Sequence, residues 1–434
     1  MAYLVHADED RDQMLDAMGA SSLEDLLRDI PAELRLGRLD LPEGLSEFET
    51  LQRIRALAGR NRVYEDRLTF RGAGVYRHFL PASVAAVMSK PQFATAYTPY
   101  QPEASQGTLQ AIFEYQTAIA ELTALDVANA SLYDGATALA EAAVMAMSHT
   151  GRQRIAVAPY VHPEYLQVLR CYADGRGFDI VELDESMAIG PETAAVAFQQ
   201  PDLLGSMIEP AGLVEAAHGQ GALAIACVDP ISLGMITPPG EYDADIAVGD
   251  GQQLGLPPSF GGPHLGFIAC RTSLTRRLPG RLVGQAWDGK GRRGFVITLT
   301  AREQHIRREK ATSNICTNHS LCALGAAVYL SYVGPDGLCR VAEAGYRNAH
   351  ILQSRLTALA GVEAIRSERP FFSEFAVKVP DPVAVLERLD RAGILGGLPL
   401  GRWYPDLDRA LLFCCTEVND DDAIDQVVEV MSQS

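Results

Sequence analysis

Six short runs of nearly unbroken apolar residues restrict this chain more than any other feature. They are "RIAVAP" (154–159), "FDIVELD" (178–184), "AAVAFQQP" (194–201), "LAIACVDP" (223–230), "DIAVGDG" (245–251) and "GFIACR" (266–271), with helical stretches between them. A strand without a polar face has to be covered on both sides, so the runs predict a mostly parallel sheet held between two layers of helices.

The flanks complete the fold class. Leu109, Ile112, Phe113, Ile119 and Leu122 recur at helical spacing after the loop "YTPYQPEASQG", and "YDGATALAEAAVMAMS" predicts a second helix. From about Gly334 the order becomes helix, strand, strand, helix, strand, helix, with "FFSEFAVKVP" and "RALLFCC" as the clearest strands. The expectation is an α/β protein: a large domain with a mostly parallel mixed sheet (101–333) and a smaller C-terminal α+β domain (334–434). Before them comes an N-terminal arm of helices and extended chain (1–100), where Ser22 caps "SSLEDLLRDIP", Asp25 follows three positions on and Pro31 stops the helix.

Composition narrows the partners. The 434 residues are 47% hydrophobic, ample for a buried core, and the net charge of -18 would repel the phosphates of nucleic acid and of anionic membranes. Neither is an expected partner. The charge is uneven, because Arg271 to Lys310 holds eleven Lys/Arg against three Asp/Glu, which marks that segment as a candidate anion site. Eight cysteines lie scattered without a CxxC pair or ligand spacing, so reduced thiols are expected, with no metal site. The start "MAYLVHADEDRDQM" has neither a basic nor an apolar leader region, and the apolar helical run Leu321 to Val333 is shorter than a bilayer span. A cytoplasmic protein is expected.

In pyridoxal-phosphate (PLP) enzymes with a sheet of this kind, the cofactor lies at the carboxyl ends of the strands. It needs a helix N-terminus for its phosphate, an acid at its pyridine nitrogen and a lysine for its aldehyde. Gly135, Ala136 and Thr137 open a helix and are candidates for the first, although an ordinary capped helix starts in the same way. Asp229, ending "ALAIACVD", is a candidate for the second, although Asp before Pro also forms turns. The third is missing. The chain's four lysines are Lys90, Lys290, Lys310 and Lys378, and the turn after "DIAVGDG" carries Gln252 and Gln253 instead. An amide nitrogen is not basic and does not condense with an aldehyde, so this pocket is expected to be vestigial. His162, in "YVHPEY", stands where an aromatic would cover a pyridine ring; a histidine beside proline also serves structure alone.

Long blocks of the sequence resemble one family. "FRGAGVYRHFLP" (70–81), "YTPYQPEASQGTLQAIFEYQTAIAELT" (97–123), "SLYDGATALAEA" (131–142), "FGGPHLGF" (260–267) and "TAREQHIRREKATSNICT" (300–317) resemble the alpha, or N-terminal-type, subunits of glycine dehydrogenase (decarboxylating), the P-proteins of the glycine cleavage system. The resemblance implies a fold-type I PLP-dependent transferase-like architecture. It also implies that the lysine and covalently bound pyridoxal 5'-phosphate belong to a partner beta subunit in an α2β2 heterotetramer. The implied activity is decarboxylation of glycine, with transfer of the aminomethyl group to the lipoyl arm of H-protein.

On that reading this chain completes a shared site. The loop offers phenols at Tyr97 and Tyr100, a possible acid or base at Glu103, and neutral hydrogen-bonding groups at Ser105 and Gln106, stiffened by two prolines. His305 stands in the basic stretch "REQHIRREK", just before Thr312, Ser313 and Asn314, which are expected to reach the partner's PLP. Packing of the tyrosines, or a solvated basic face, would explain the same residues without chemistry. Two other functions remain: a non-catalytic scaffold that stabilises the beta subunit and docks H-protein, and a self-contained PLP enzyme that uses Lys310.

Overall fold

All six apolar runs become neighbouring strands. The sheet has seven strands in the spatial order Val127–Ala128, Gly266–Cys270, Ile246–Asp250, Leu223–Val228, Thr193–Gln200, Arg154–Val157, Asp179–Glu182. The last five run parallel, and Gly266–Cys270 pairs antiparallel with Ile246–Asp250. The computed structural model describes residues 5–36, 39–63, 67–184 and 186–433, divided into two compact units, 1–63 and 64–434.

Strand periodicity sorts the side chains into two cores. Ala156, Val196, Phe198, Ala226 and Phe267 point to one face, where Tyr115 and Ile119 of the helix Gln106–Thr123 and Tyr329 of the helix Ser320–Thr357 cover them. Ile155, Val157, Ile225, Val248 and Ile268 point to the other, under Leu139, Val144 and Met145 of the helix Gly135–Thr150. Double coverage explains why these strands read as continuous apolar runs and not as alternating ones.

The C-terminal lobe is a four-stranded antiparallel sheet, ordered Glu363–Ala364, Glu374–Lys378, Ala410–Cys414, Leu398–Pro399. The helices Pro382–Arg391 and Asp421–Ser432 accompany it, each with an aspartate capping its first turn, Asp381 and Asp420. Residues 68–69 pair with Ile394–Leu395, so the chain that follows residue 67 lies against this lobe from the start.

Two features escape the sequence pattern. Leu282–Trp287 and Arg293–Thr298 form a hairpin in the segment read only for its charge. The helix starting at Ser320 also runs past Val333 to Thr357, bent at Gly334 (φ 60°) before Pro335. Among the described residues it is the one helix long and apolar enough to cross a membrane by length and composition; here Cys322, Ala323, Ala326 and Tyr329 pack into the core.

The unit of residues 1–63 has almost no interior. Leu15 is its one buried side chain among the described residues. Its helices depend on local devices: an acidic first turn and a left-handed Gly19 for Asp8–Met18, Ser22 capping Leu23–Leu26, and a Ser46–Glu49 capping box for Glu47–Ala58.

Phe198 is fully buried on the central parallel strand. Phe198→Ala should lower unfolding stability by about 3 to 5 kcal/mol, the cost of emptying an aromatic core site, measured by urea denaturation of the full chain. A loss below about 1 kcal/mol would contradict this packing.

Candidate functional site

At the carboxyl ends of the parallel strands lies a cavity of about 50 Å³, lined by Tyr76, His162, Tyr165, Asp229, Asp250, Gln253 and Glu374 among others. Ala73, Gly74 and Tyr76 form part of its wall, on a segment, 72–79, held at both ends by carboxylates of the C-terminal lobe. Glu374 Oε1 accepts the Ala73 N–H (2.7 Å) and Oε2 accepts the Tyr76 hydroxyl (2.8 Å). The approach needs glycine at position 72, where an added Cβ would lie 2.3 Å from Glu374 Oε1.

Gln253 belongs to the same network. His78 donates from Nε2 to Gln253 Oε1 (2.9 Å) and from Nδ1 to Glu417 Oε2 (2.7 Å). Burial alone would depress the imidazole's pKa, but the bond to Glu417 and its charge outweigh that and raise it, while the same pairing lowers Glu417. An imidazolium bonded to a carboxylate therefore stands beside the glutamine. Burial raises the pKa of Asp229, and its Oδ1 accepts the Ile231 N–H (2.8 Å), closing a turn at the strand end.

Pyridoxal phosphate does not fit these residues. No lysine stands at position 253. The helix N–H groups left free in the sequence pattern are taken: Asp250 Oδ2 accepts from Gly135 (3.2 Å) and Asp134 Oδ1 from Thr137 (2.7 Å), with Ala136 between them. A phosphate there would meet two carboxylates. The remaining 50 Å³ has room for a few waters and not for a substituted pyridine ring. His162 is buried with both ring nitrogens engaged, Nδ1 accepting the Glu164 N–H (3.1 Å) and Nε2 donating to the Ala73 carbonyl (3.0 Å); burial lowers its pKa, so it is neutral. Lys310 is exposed and does not line the cavity.

The loop of residues 97–106 is a separate assembly. Tyr97 is 81% exposed, Tyr100 about half, and Glu103 is exposed. The Tyr100 ring meets His305 edge-on (6.4 Å between centroids) and receives a hydrogen bond at its hydroxyl from Arg281 (3.2 Å). Gln106, itself exposed, clasps the Phe295 backbone at N and O (2.9 Å each), which fixes the loop to the hairpin. Ser105 begins the helix without a side-chain cap bond. Thr312 and Ser313 line a hollow with Arg276, Arg277 and Arg302, and Asn314 lines another with Arg176 and Arg308. The structure thus joins Tyr100 to His305; neither of the hollows of 312–314 contains a residue of the loop.

Sequence reasoning assigned no role to Tyr76, His78, Glu374, Glu417 or Arg281. The first two lie in the stretch 70–81, and their partners Glu374 and Glu417 are some three hundred residues away. Arg281 had a local signal: a cation entering the apolar strand "RLVGQAW".

A doubly covered sheet of this order with a C-terminal α+β lobe defines the fold-type I class of PLP enzymes. The cystine C-S lyase C-DES, solved with glycine covalently linked to its PLP cofactor, shares this fold at 15% identity and a TM-score of 0.61, over 85% of this chain and 97% of that one. Much stronger likenesses fall in one family. The family profile described as "Glycine cleavage system P-protein" matches residues 1–431. The "Probable glycine dehydrogenase (decarboxylating) subunit 1" of Moorella thermoacetica is 49% identical over 99% of both chains. A crystal structure of glycine decarboxylase (P-protein) of the glycine cleavage system, in inhibitor-bound form, matches 100% of both chains at 46% identity and a TM-score of 0.91. This chain belongs to the glycine cleavage system P-protein family.

Burial pushes the Glu374 carboxyl up from 4.5 to about 7. Below pH 4.5 both folded and unfolded chains carry the proton; above it the unfolded chain loses it first, so stability falls as pH rises toward 7 and then levels off. The total is about 3 kcal/mol. Glu374→Gln, which can keep both bonds, should therefore raise the melting temperature at pH 8 and have little effect near pH 4.5. A melting-temperature difference that stays constant across pH would rule this out.

Proposed function

We propose that this chain is the non-cofactor subunit of a heteromeric glycine decarboxylase, in which a homologous partner subunit binds pyridoxal 5'-phosphate covalently and this chain completes the shared site. One observation carries the reading. The place where a fold-type I enzyme holds its cofactor has Gln253 where the Schiff-base lysine would be needed, and only about 50 Å³ is left between its walls, which include Ala73, Gly74 and Tyr76 of the same chain. A member of a PLP family with its own pocket closed can act in that chemistry only beside a chain whose pocket is open.

The group held by the partner supplies the electron sink for loss of carbon dioxide from glycine, after which the aminomethyl group passes to the lipoyl arm of H-protein. This chain's residues would bind and orient. Tyr97 and Tyr100 present phenols from a proline-stiffened loop whose exposure suits an interface. Glu103 is available to hold or move a proton, and Ser105 to bond a neutral group. Gln106 positions the loop through Phe295, and His305 supports Tyr100. Of Thr312, Ser313 and Asn314, the exposed Asn314 beside Arg176 and Arg308 and the half-buried Thr312 suit an anionic group of the partner's cofactor, whereas Ser313 is buried with its hydroxyl accepting the Ile315 N–H (3.0 Å) and positions the segment. The assembly is an α2β2 heterotetramer in the cytoplasm.

The test has two parts. Borohydride treatment of the purified chain with one equivalent of pyridoxal phosphate should leave no lysine labelled in preference to the other exposed ones; a stoichiometric, saturable label on Lys310 alone would instead favour a self-contained enzyme. In the assembled complex, Glu103→Gln should lower carbon dioxide release from glycine about a hundredfold. Unchanged turnover would favour the scaffold reading.

A further inference from the structure

Beside the tyrosine loop is a second, larger pocket of about 340 Å³, within the size range of small-molecule sites. Its floor is Arg281, whose residue is only 5% exposed. The guanidinium donates to three neutral oxygens: Thr317 Oγ1 (3.1 Å), Asn318 Oδ1 (3.2 Å) and the Tyr100 hydroxyl (3.2 Å). Its Nε has no partner, and no carboxylate among the described residues pairs with it. A buried cation without a counter-ion is costly unless a ligand supplies one.

Three independent features of the same pocket also call for negative charge. The helix Ser320–Thr357 begins here with no side-chain cap and no acid in its first turn, so among the described residues the N–H groups of Ser320, Leu321 and Cys322 have no acceptor. The buried Thr98 hydroxyl, also in the lining, has no hydrogen-bond partner among the described residues. In a chain of net charge -18, none of the lining residues is acidic. Met88, Phe93, Ile112, Leu321 and Leu324 make an apolar stretch of the wall, and Tyr97, Thr108 and His319 also line it.

We infer that this pocket binds a small organic carboxylate with an aliphatic body, its carboxylate held between Arg281 and the start of the helix at Ser320 and its chain against Met88, Phe93 and Ile112. A phosphate dianion suits it less, because one guanidinium and apolar walls would leave half of its charge unmatched. All the lining residues belong to this chain, but Tyr97 among them, and Tyr100 through its bond to Arg281, stand on the loop proposed above to face the partner, so the site adjoins that interface and its binding is read on the purified chain.

Titration calorimetry of the full chain with acetate, butyrate, hexanoate, hexylamine and inorganic phosphate tests it. Expected is one site per chain, with affinity rising roughly fourfold per added methylene, the equivalent of about 0.8 kcal/mol per buried CH₂. Hexylamine and phosphate should not compete. Arg281→Gln should weaken hexanoate at least tenfold with the circular dichroism unchanged. If that variant does not fold, Ala111→Phe, which fills the pocket from the helix Gln106–Thr123 and leaves the guanidinium in place, should abolish binding. The assignment is overturned if hexanoate does not bind at millimolar concentration, if affinity ignores chain length, if phosphate or hexylamine binds as well, or if hexanoate binds either variant as it binds the parent.

Discussion

The bond from His78 to Glu417 holds the C-terminal lobe to the large sheet, and the arrangement of the cofactor place depends on it. His78 arrives on the segment that enters the strand ends, Glu417 belongs to the lobe, and Gln253 stands on the turn after the strand Ile246–Asp250. All three side chains are largely shielded from water, so removing either ionised partner would leave a charge with no compensation, a loss typically of about 3 to 5 kcal/mol. Thr416 continues the seam by donating its hydroxyl to the Arg77 carbonyl (2.6 Å), as Asn419 does from its amide to the Thr69 carbonyl (2.8 Å). A segment stitched this closely is part of the fold, and the space it occupies is unavailable to a ligand.

What could be read from the sequence follows from the range of the interactions. The six strands were legible because burial on both faces leaves a mark at every residue, and the helix Gln106–Thr123 because its apolar positions repeat within a few turns. The role of residues 72–79 was not, since their partners Glu374 and Glu417 lie some three hundred positions away and no local pattern records such a pairing. Gln253 is an intermediate case. Its identity told of a missing amine, but only its place in the His78 network shows what the amide does.

Charge counting along a segment carries no information about where its cations lie in the fold. The surplus of cations between Arg271 and Lys310 is not one patch: Arg271 pairs with Asp243, Arg292 with Asp288, and Arg302 donates to the Leu278 carbonyl. Arg276 and Arg277 share the hollow of Thr312 and Ser313, whereas Arg308 lines that of Asn314. Of the whole segment Arg281 alone is buried without a carboxylate at the floor of a sizeable pocket. A sum over the segment has no access to burial, and burial is what turns a solvated cation into a binding group.

The glutamine at position 253 is explained by its neighbours. Its oxygen accepts from the His78 imidazolium while its amide reaches Asp229, so it needs an acceptor and a donor at the same tip. An ammonium has three donors and no acceptor. Placed there, it would meet the proton on His78 Nε2 and set two cations against each other in a buried site. The Asp250 and Asp134 carboxylates would still cap the helix at Gly135, and Tyr165 would still stand against it, its hydroxyl 2.2 Å from where a Cβ on Gly135 would be. Closing the cofactor pocket is therefore a property of the whole network around His78, Asp250 and Glu374, and restoring one amine would not reopen it.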